Sequence, residues 1–118
     1  MVLNVSQALN SEMVLEYCEA YWCKLRGLAW RRKLVKSGGI VLASKSVNKR
    51  DSAIHMMGMF FDLSIIWLDG NMQVVDKALA LKWRSFLVPK TAARYVIECA
   101  PSRIHEFGIG DHIAFEKR

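Results

Sequence analysis

The chain has 118 residues, 53% of them hydrophobic and two of them proline, with 17 Lys and Arg against 11 Asp and Glu for a formal charge of +6. That length holds one domain, large enough to bury about two-thirds of the surface its unfolded chain exposes, and the apolar fraction excludes intrinsic disorder. No cofactor motif stands out, so none is expected.

The charge is distributed in blocks. Residues 1–20 carry Glu12, Glu16 and Glu19 and no base, whereas residues 21–50 carry nine bases and no acid. Residues 51–76 hold only Asp51, Asp62, Asp69 and Asp76 among charged groups, and residues 77–94 hold five bases and no acid. Two basic tracts that met on one face would form an anion-attracting surface. Cys18, Cys23 and Cys99 are odd in number and show no metal-knuckle or redox spacing, which suits a reducing, cytoplasmic location. The N-terminus lacks the basic and apolar regions of a secretory signal. No apolar run approaches the roughly 18 residues of a membrane span, so no membrane association is expected.

Taken in chain order, residues 1–12 read as a tail or a short packed segment, ahead of a single domain over 13–118. Met13 to Cys18 suits either strand or helix, because so short an apolar run has no decisive period. Ala20 to Trp30 reads as a helix, with Tyr21, Leu25 and Leu28 on one face and Lys24 and Arg31 left to water. Ser37-Gly38-Gly39 breaks the chain before a short buried strand at Ile40-Val41-Leu42, and the polar stretch Ser44 to Ser52 reads as a loop.

Leu63 to Leu68 is rich in strand formers and runs straight into Asp69-Gly70-Asn71, a strong hairpin signal returning through Met72 to Asp76. Lys82 to Lys90 is irregular, and Arg94 to Cys99 is another strand. Pro101 suits the first turn of a short helix through Phe107, capped by Gly108, with Gly110-Asp111 turning into a last strand at His112 to Phe115. The sum is a mainly β (α+β) fold, a small antiparallel barrel or sandwich of about six strands with two short helices.

Several of these segments form an ordered set. They are Leu25-Arg26-Gly27-Leu28 with Arg31, then Gly39-Ile40-Val41-Leu42, then Ile54-His55-Met56-Met57-Gly58-Met59-Phe60-Phe61 leading to Ile65-Ile66-Trp67-Leu68-Asp69. Val74-Val75, Ala93 to Glu98 and Gly108-Ile109-Gly110-Asp111 complete the order. Across about residues 15–115 this order resembles the domain of unknown function 192 family. The resemblance implies a fold and a set of residues; the family's own function is not established. It favours strand and then helix over Met13 to Trp30. Two positions depart from the family pattern: Asp62 stands where the family usually has Pro, and Ser64 where it usually has Asp. A family Asp that serves chemistry would be lost here, whereas one that caps a turn would be replaced by Ser64.

Among single residues, His55 is the leading candidate, since a histidine between Ile54 and Met56 titrates near neutrality and suits a base or a ligand. Its competing reading is a packed histidine bonded to backbone. The three histidines lack metal spacing, so no metal site is expected. No nucleophile elbow is present, and the cysteines sit in apolar segments where thiols are inert. Asp69, Gly70, Gly108, Gly110, Asp111 and Gly27 read as turn and cap residues. Arg26 is the family-matching arginine, suited to holding a carboxylate.

The expected function is a non-catalytic binding module for a small anionic ligand or a protein partner, with Arg26 and Arg31 opposite His55 and Met59. The alternatives are a hydrolytic or metal-assisted enzyme centred on His55, and nucleic-acid binding through the basic tracts. No recognised nucleic-acid motif accompanies those tracts.

Overall fold

In a computed structural model of the chain, the structure describes residues 2–4, 16–18, 39–48, 54–55, 62–81 and 86–115; for 2–4, 16–18, 44–48, 54–55 and 86 it describes the backbone alone. The described elements are strands β1 (Val2–Asn4), β2 (Glu16–Cys18), β3 (Gly39–Asn48), β4 (Ile54–His55), β5 (Leu63–Leu68), β6 (Val74–Ala80), β7 (Phe86–Leu87) and β8 (Ala93–Cys99). A 3₁₀ helix over Pro101–Glu106 and strand β9 (Ile113–Phe115) complete the order. The fold is mainly β. The predicted helix at Ala20 to Trp30 and the Met56 to Phe61 part of the motif lie outside the described residues.

Five strands form one open sheet in the order β2-β3-β8-β5-β6, antiparallel except for the parallel pair β2-β3. Two-stranded ribbons β1-β9 and β4-β7 complete the pairing. Residues 2–4 thus pair with residues 113–115, joining the two ends of the chain in one ribbon.

The sequence of β5 explains its central place. All six of its residues are buried, which requires cover on both faces and a partner on both edges. Ile65 and Trp67 point to one core layer with Ile40, Leu63 and Val96. Ile66 and Leu68 point to the other, with Val41, Ile97 and Phe107. Each such side chain, fully buried, contributes roughly 1.5–3 kcal/mol. The 3₁₀ helix and β9 cover the second layer through Ile104, Phe107, Ile113 and Phe115, while β7 reaches the first through Leu87.

Three local expectations change. The stretch from Ser44, read as a loop, belongs to β3 as far as Asn48: the register with β8 runs from Gly39 to Ala43, shifts, and resumes at Asn48 opposite Ala93. Its polar residues signal loop, and they coincide with that interruption of the ladder, while the pairing at Asn48 keeps the strand going. Phe86–Leu87, inside a segment read as irregular, pairs with β4. The second short helix is a single 3₁₀ segment, with Pro101 in its first turn as expected.

Candidate functional site

Glu98 is the feature of the sheet that packing alone does not explain. It lies in β8 with Ile40 of β3 on one side and Ile65 of β5 on the other, in the first core layer. Only 5% of its surface is exposed, and its Oε1 has no hydrogen-bond partner among the described residues. Burial raises its pKa from 4.5 to about 7, since an apolar surround disfavours the charged form. A carboxyl in that state exchanges its proton near neutrality and donates or accepts accordingly.

The same layer is the one to which the β4–β7 ribbon is tied. Leu87 packs against it, and Leu87 is the register partner of Ile54, with His55 opposite Phe86. Backbone pairing therefore brings the histidine-bearing motif strand to the Glu98 side of the sheet.

The opposite face holds a second polar group, at the turn from β8 into the 3₁₀ helix. Ser64 is fully buried, and its hydroxyl is shared between the carbonyl oxygens of Ala100 at 2.8 Å and Pro101 at 3.0 Å. Arg103 and Glu106 form a buried two-point pair, with Nε donating to Oε2 at 2.8 Å and Nη2 donating to Oε1 at 2.9 Å. Burial pushes the neighbouring Cys99 thiol up to about 12, against the lowering effect of Arg103. A thiol so held is not a nucleophile.

The predicted turn residues gather where two loops meet. Asp69 Oδ1 accepts from the backbone N–H groups of Asn71 and Gln73, and the Asp69 N–H donates to the Gln73 carbonyl. The hairpin loop is thus wider than a two-residue turn, and its left-handed residue is Met72 (φ 65°) rather than Gly70. Gly110 is left-handed at φ 91°, in a turn closed by the Asp111 N–H on the Gly108 carbonyl. Gly108 follows the helix in ordinary backbone and donates its N–H to Asp111 Oδ2 at 2.7 Å. The loops are joined by Gly110 N–H to the Val74 carbonyl and Val74 N–H to the Asp111 carbonyl. These aspartates organise backbone, as their turn positions implied.

Of the residues expected to bind, Arg26, Gly27, Arg31 and Met59 lie outside the described residues, and for His55 the backbone alone is described. Of the first basic tract's bases, Lys45 alone lies among the described residues, with its backbone only, and the described strand that carries it meets the second tract's segment where Asn48 pairs with Ala93. Members of the second tract are spent locally. Lys77 Nζ donates to the Ile104 carbonyl, and the Arg94 guanidinium lies 5.3 Å from the centre of the Tyr95 ring. Among the described residues, no group of three or more His, Cys, Asp or Glu is placed to hold a metal ion, and no helix is long and apolar enough to cross a membrane. Glu98 escaped the reading of the sequence, although it carries the only charge between Tyr95 and Ala100. An acid alone at an inward strand position was the signal available.

The profile of the family described as "Uncharacterized ACR", domain of unknown function 192 (DUF192), matches residues 2–115. The chain belongs to the DUF192 family. A UPF0127 protein of Thermococcus kodakarensis is 32% identical to this DUF192 chain over 100 residues, covering 83% of this chain and 60% of the relative. A second UPF0127 protein, from Thermococcus gammatolerans, is 29% identical over 118 residues, covering 98% of this chain and 75% of the relative. The chain thus spans about three-fifths of the length of the first relative and three-quarters of the second. Among solved structures, a protein of unknown function from Novosphingobium aromaticivorans superposes with a TM-score of 0.81 at 18% identity, covering 97% of this chain and 81% of the other. A candidate transcription regulator from Sinorhizobium meliloti superposes with a TM-score of 0.83 at 13% identity, covering 96% and 88%. At such identities the likeness is one of fold. The DUF192 family is uncharacterised, so its membership assigns no activity.

Proposed function

We propose that this DUF192 domain is a non-catalytic binding module, taking a small anionic ligand between the Glu98 face of the sheet and the β4–β7 ribbon. Arg26 and Arg31 supply positive charge, and His55 and Met59 complete the contact surface. The observation that carries this reading is the unfilled carboxyl oxygen of Glu98, buried on the face to which the motif strand is tied. A buried polar atom without a partner costs free energy, and a ligand that fills it recovers that cost. Below pH 7 a neutral Glu98 carboxyl donates a hydrogen bond, so it does not repel an anion.

The test is calorimetric titration with small carboxylates and phosphates at pH 6, on the intact chain and on Arg26→Ala and His55→Ala. Saturable binding weakened in both variants supports the reading. Affinities unchanged in both, or no binding by any of these anions, would overturn it. A protein partner is the other occupant of this surface. Nucleic acid is disfavoured: it requires affinity that falls steeply with salt, and a flat response removes it. The odd cysteine count and the free, buried Cys99 support a reducing, cytoplasmic location.

A second reading is an enzyme centred on His55, and the near-neutral Glu98 specifically favours it, because a carboxyl poised there suits general acid or base work. A pH–rate profile with a limb that vanishes in Glu98→Gln distinguishes catalysis from binding.

A further inference from the structure

The link between Asp69 and Gly70 does more than turn the chain. Gly70 and Asn71 are exposed, and the Gly70 N–H makes no hydrogen bond among the described residues. The Asp69 carboxyl, in contrast, is held, because its Oδ1 accepts from the Asn71 N–H at 2.8 Å and the Gln73 N–H at 3.0 Å. The first of those bonds closes a ring of atoms containing both the carboxyl carbon and the Gly70 nitrogen, so the side chain is folded back over the Gly70 peptide. Two N–H donors on one carboxyl oxygen also sit where negative charge collects when a nucleophile adds to the carboxyl carbon. The other described aspartates lack this combination. Asp62 and Asp111 precede Leu63 and His112, whose side chains crowd the next nitrogen, and the Lys77 N–H is already taken by Asp76 Oδ1 at 2.8 Å.

We infer that Asp69 is a site of spontaneous aspartyl isomerisation in the folded chain. The Gly70 nitrogen bonds to the Asp69 carboxyl carbon and loses its proton, and the carboxyl hydroxyl leaves with that proton as water, closing a succinimide ring. Solvent water then opens the ring at either carbonyl. Opening at the former backbone carbonyl frees it as a carboxylate and leaves the chain running through the side chain, as isoaspartate. The loop backbone thereby gains a carbon. It lies between the Asp69 N–H, which donates to the Gln73 carbonyl, and the rest of the hairpin, so the bonds that close this loop must be re-made. This chemistry is independent of whatever the Glu98 face binds.

The experiment ages the intact chain at pH 6 beside a peptide of residues 66–75 and the Gly70→Ala chain, which is compatible because Gly70 is not left-handed. Isoaspartate is counted by methyl transfer from S-adenosylmethionine with an isoaspartyl-specific carboxyl methyltransferase, and placed by electron-transfer fragmentation of a digest. The expected result is isoaspartate at Asp69 of the intact chain, forming within about tenfold of the peptide's rate or faster. Gly70→Ala slows it about threefold or more, since a Cβ crowds the attacking nitrogen. A rate in the intact chain more than about tenfold below the peptide's means that the fold protects the link, and overturns the inference. So does isoaspartate at other described aspartates but not at Asp69, or a smaller effect of Gly70→Ala. The comparison of chain with peptide decides even if Gly70→Ala fails to fold.

Discussion

The Ser64 hydroxyl lies 2.8 Å from the carbonyl oxygen of Ala100, a residue 36 positions further along the chain, and donates to it from within a fully buried strand. The Pro101 carbonyl shares the same hydrogen at 3.0 Å. One hydroxyl therefore ties the centre of the sheet to the point where β8 gives way to the 3₁₀ helix. Both partners are acceptors, so the position requires a donor. That is a different demand from the one an aspartate would meet, although aspartate is usual here in the family pattern.

Ser64→Ala therefore lowers stability by about 1–2 kcal/mol, since the buried Ala100 carbonyl and the partly buried Pro101 contact lose their donor. Ser64→Asp costs more, on the order of 3 kcal/mol, because a carboxylate is buried against two carbonyl oxygens. Urea unfolding of both variants measures the difference. If Ser64→Asp proves as stable as the parent, the carboxylate has found donors at this corner, and Ser64 is a simple replacement for the family residue.

Much of this architecture was legible in the sequence, and the reasons differ by element. Leu63 to Leu68 announced itself as a buried strand because six consecutive residues with one small hydroxyl can be hidden only between two layers. The hairpin after it followed from Asp69-Gly70 between two apolar runs, and the structure closes it through the Asp69 carboxylate, which gathers backbone N–H groups. Its width did not, because the left-handed residue is Met72, which no propensity singles out. The extension of β3 through Ser44 to Asn48 was illegible for a similar reason: its polar residues say loop, and the ladder with β8 breaks after Ala43 and resumes at Asn48, opposite Ala93. Glu98 was hidden by its neighbours. An acid at a strand position reads as solvent-facing unless the sheet is known to be covered on both sides.

Burial of Glu98 makes stability depend on pH in a definite direction. The folded chain holds this proton up to about pH 7, whereas the unfolded chain releases it near 4.5, so between those values the folded state binds more protons. Stability is therefore fully present below about pH 4.5, falls as pH rises through 7, and levels off above, by on the order of 3 kcal/mol in all. Glu98→Gln removes that slope, and Glu98→Leu is the more stable chain at pH 8. Urea midpoints between pH 5 and 8 decide it: an equal slope in the parent and Glu98→Gln would place the titrating group elsewhere.

The Arg103–Glu106 pair gives an asymmetric prediction. Arg103→Met leaves the buried Glu106 carboxylate without its guanidinium, which costs about 3 kcal/mol or more. Replacing both, as Arg103→Met with Glu106→Leu, regains most of that loss, because the desolvation of two charges disappears with their attraction. A double-mutant cycle reads the coupling directly. Additive single effects would mean that the two side chains act through separate contacts.

A side chain added at Gly108 and one added at Gly110 meet separable obstacles. At Gly110 an added Cβ meets nothing within 4 Å, while the backbone sits at φ 91°, a region that L side chains rarely adopt. Gly110→Ala therefore costs about 1–2 kcal/mol from backbone strain alone. At Gly108 the backbone is ordinary, but the Cβ would lie 3.3 Å from Asp111 Oδ2, the atom that accepts the Gly108 N–H. Its penalty thus depends on that carboxylate. In an Asp111→Ala background Gly108→Ala becomes nearly neutral, whereas Gly110→Ala keeps its full penalty, so one pair is strongly non-additive and the other additive. Thermal unfolding of the six chains measures both couplings. Equal penalties for Gly108→Ala with and without the Asp111 carboxylate would show that the glycine serves the helix end rather than the aspartate.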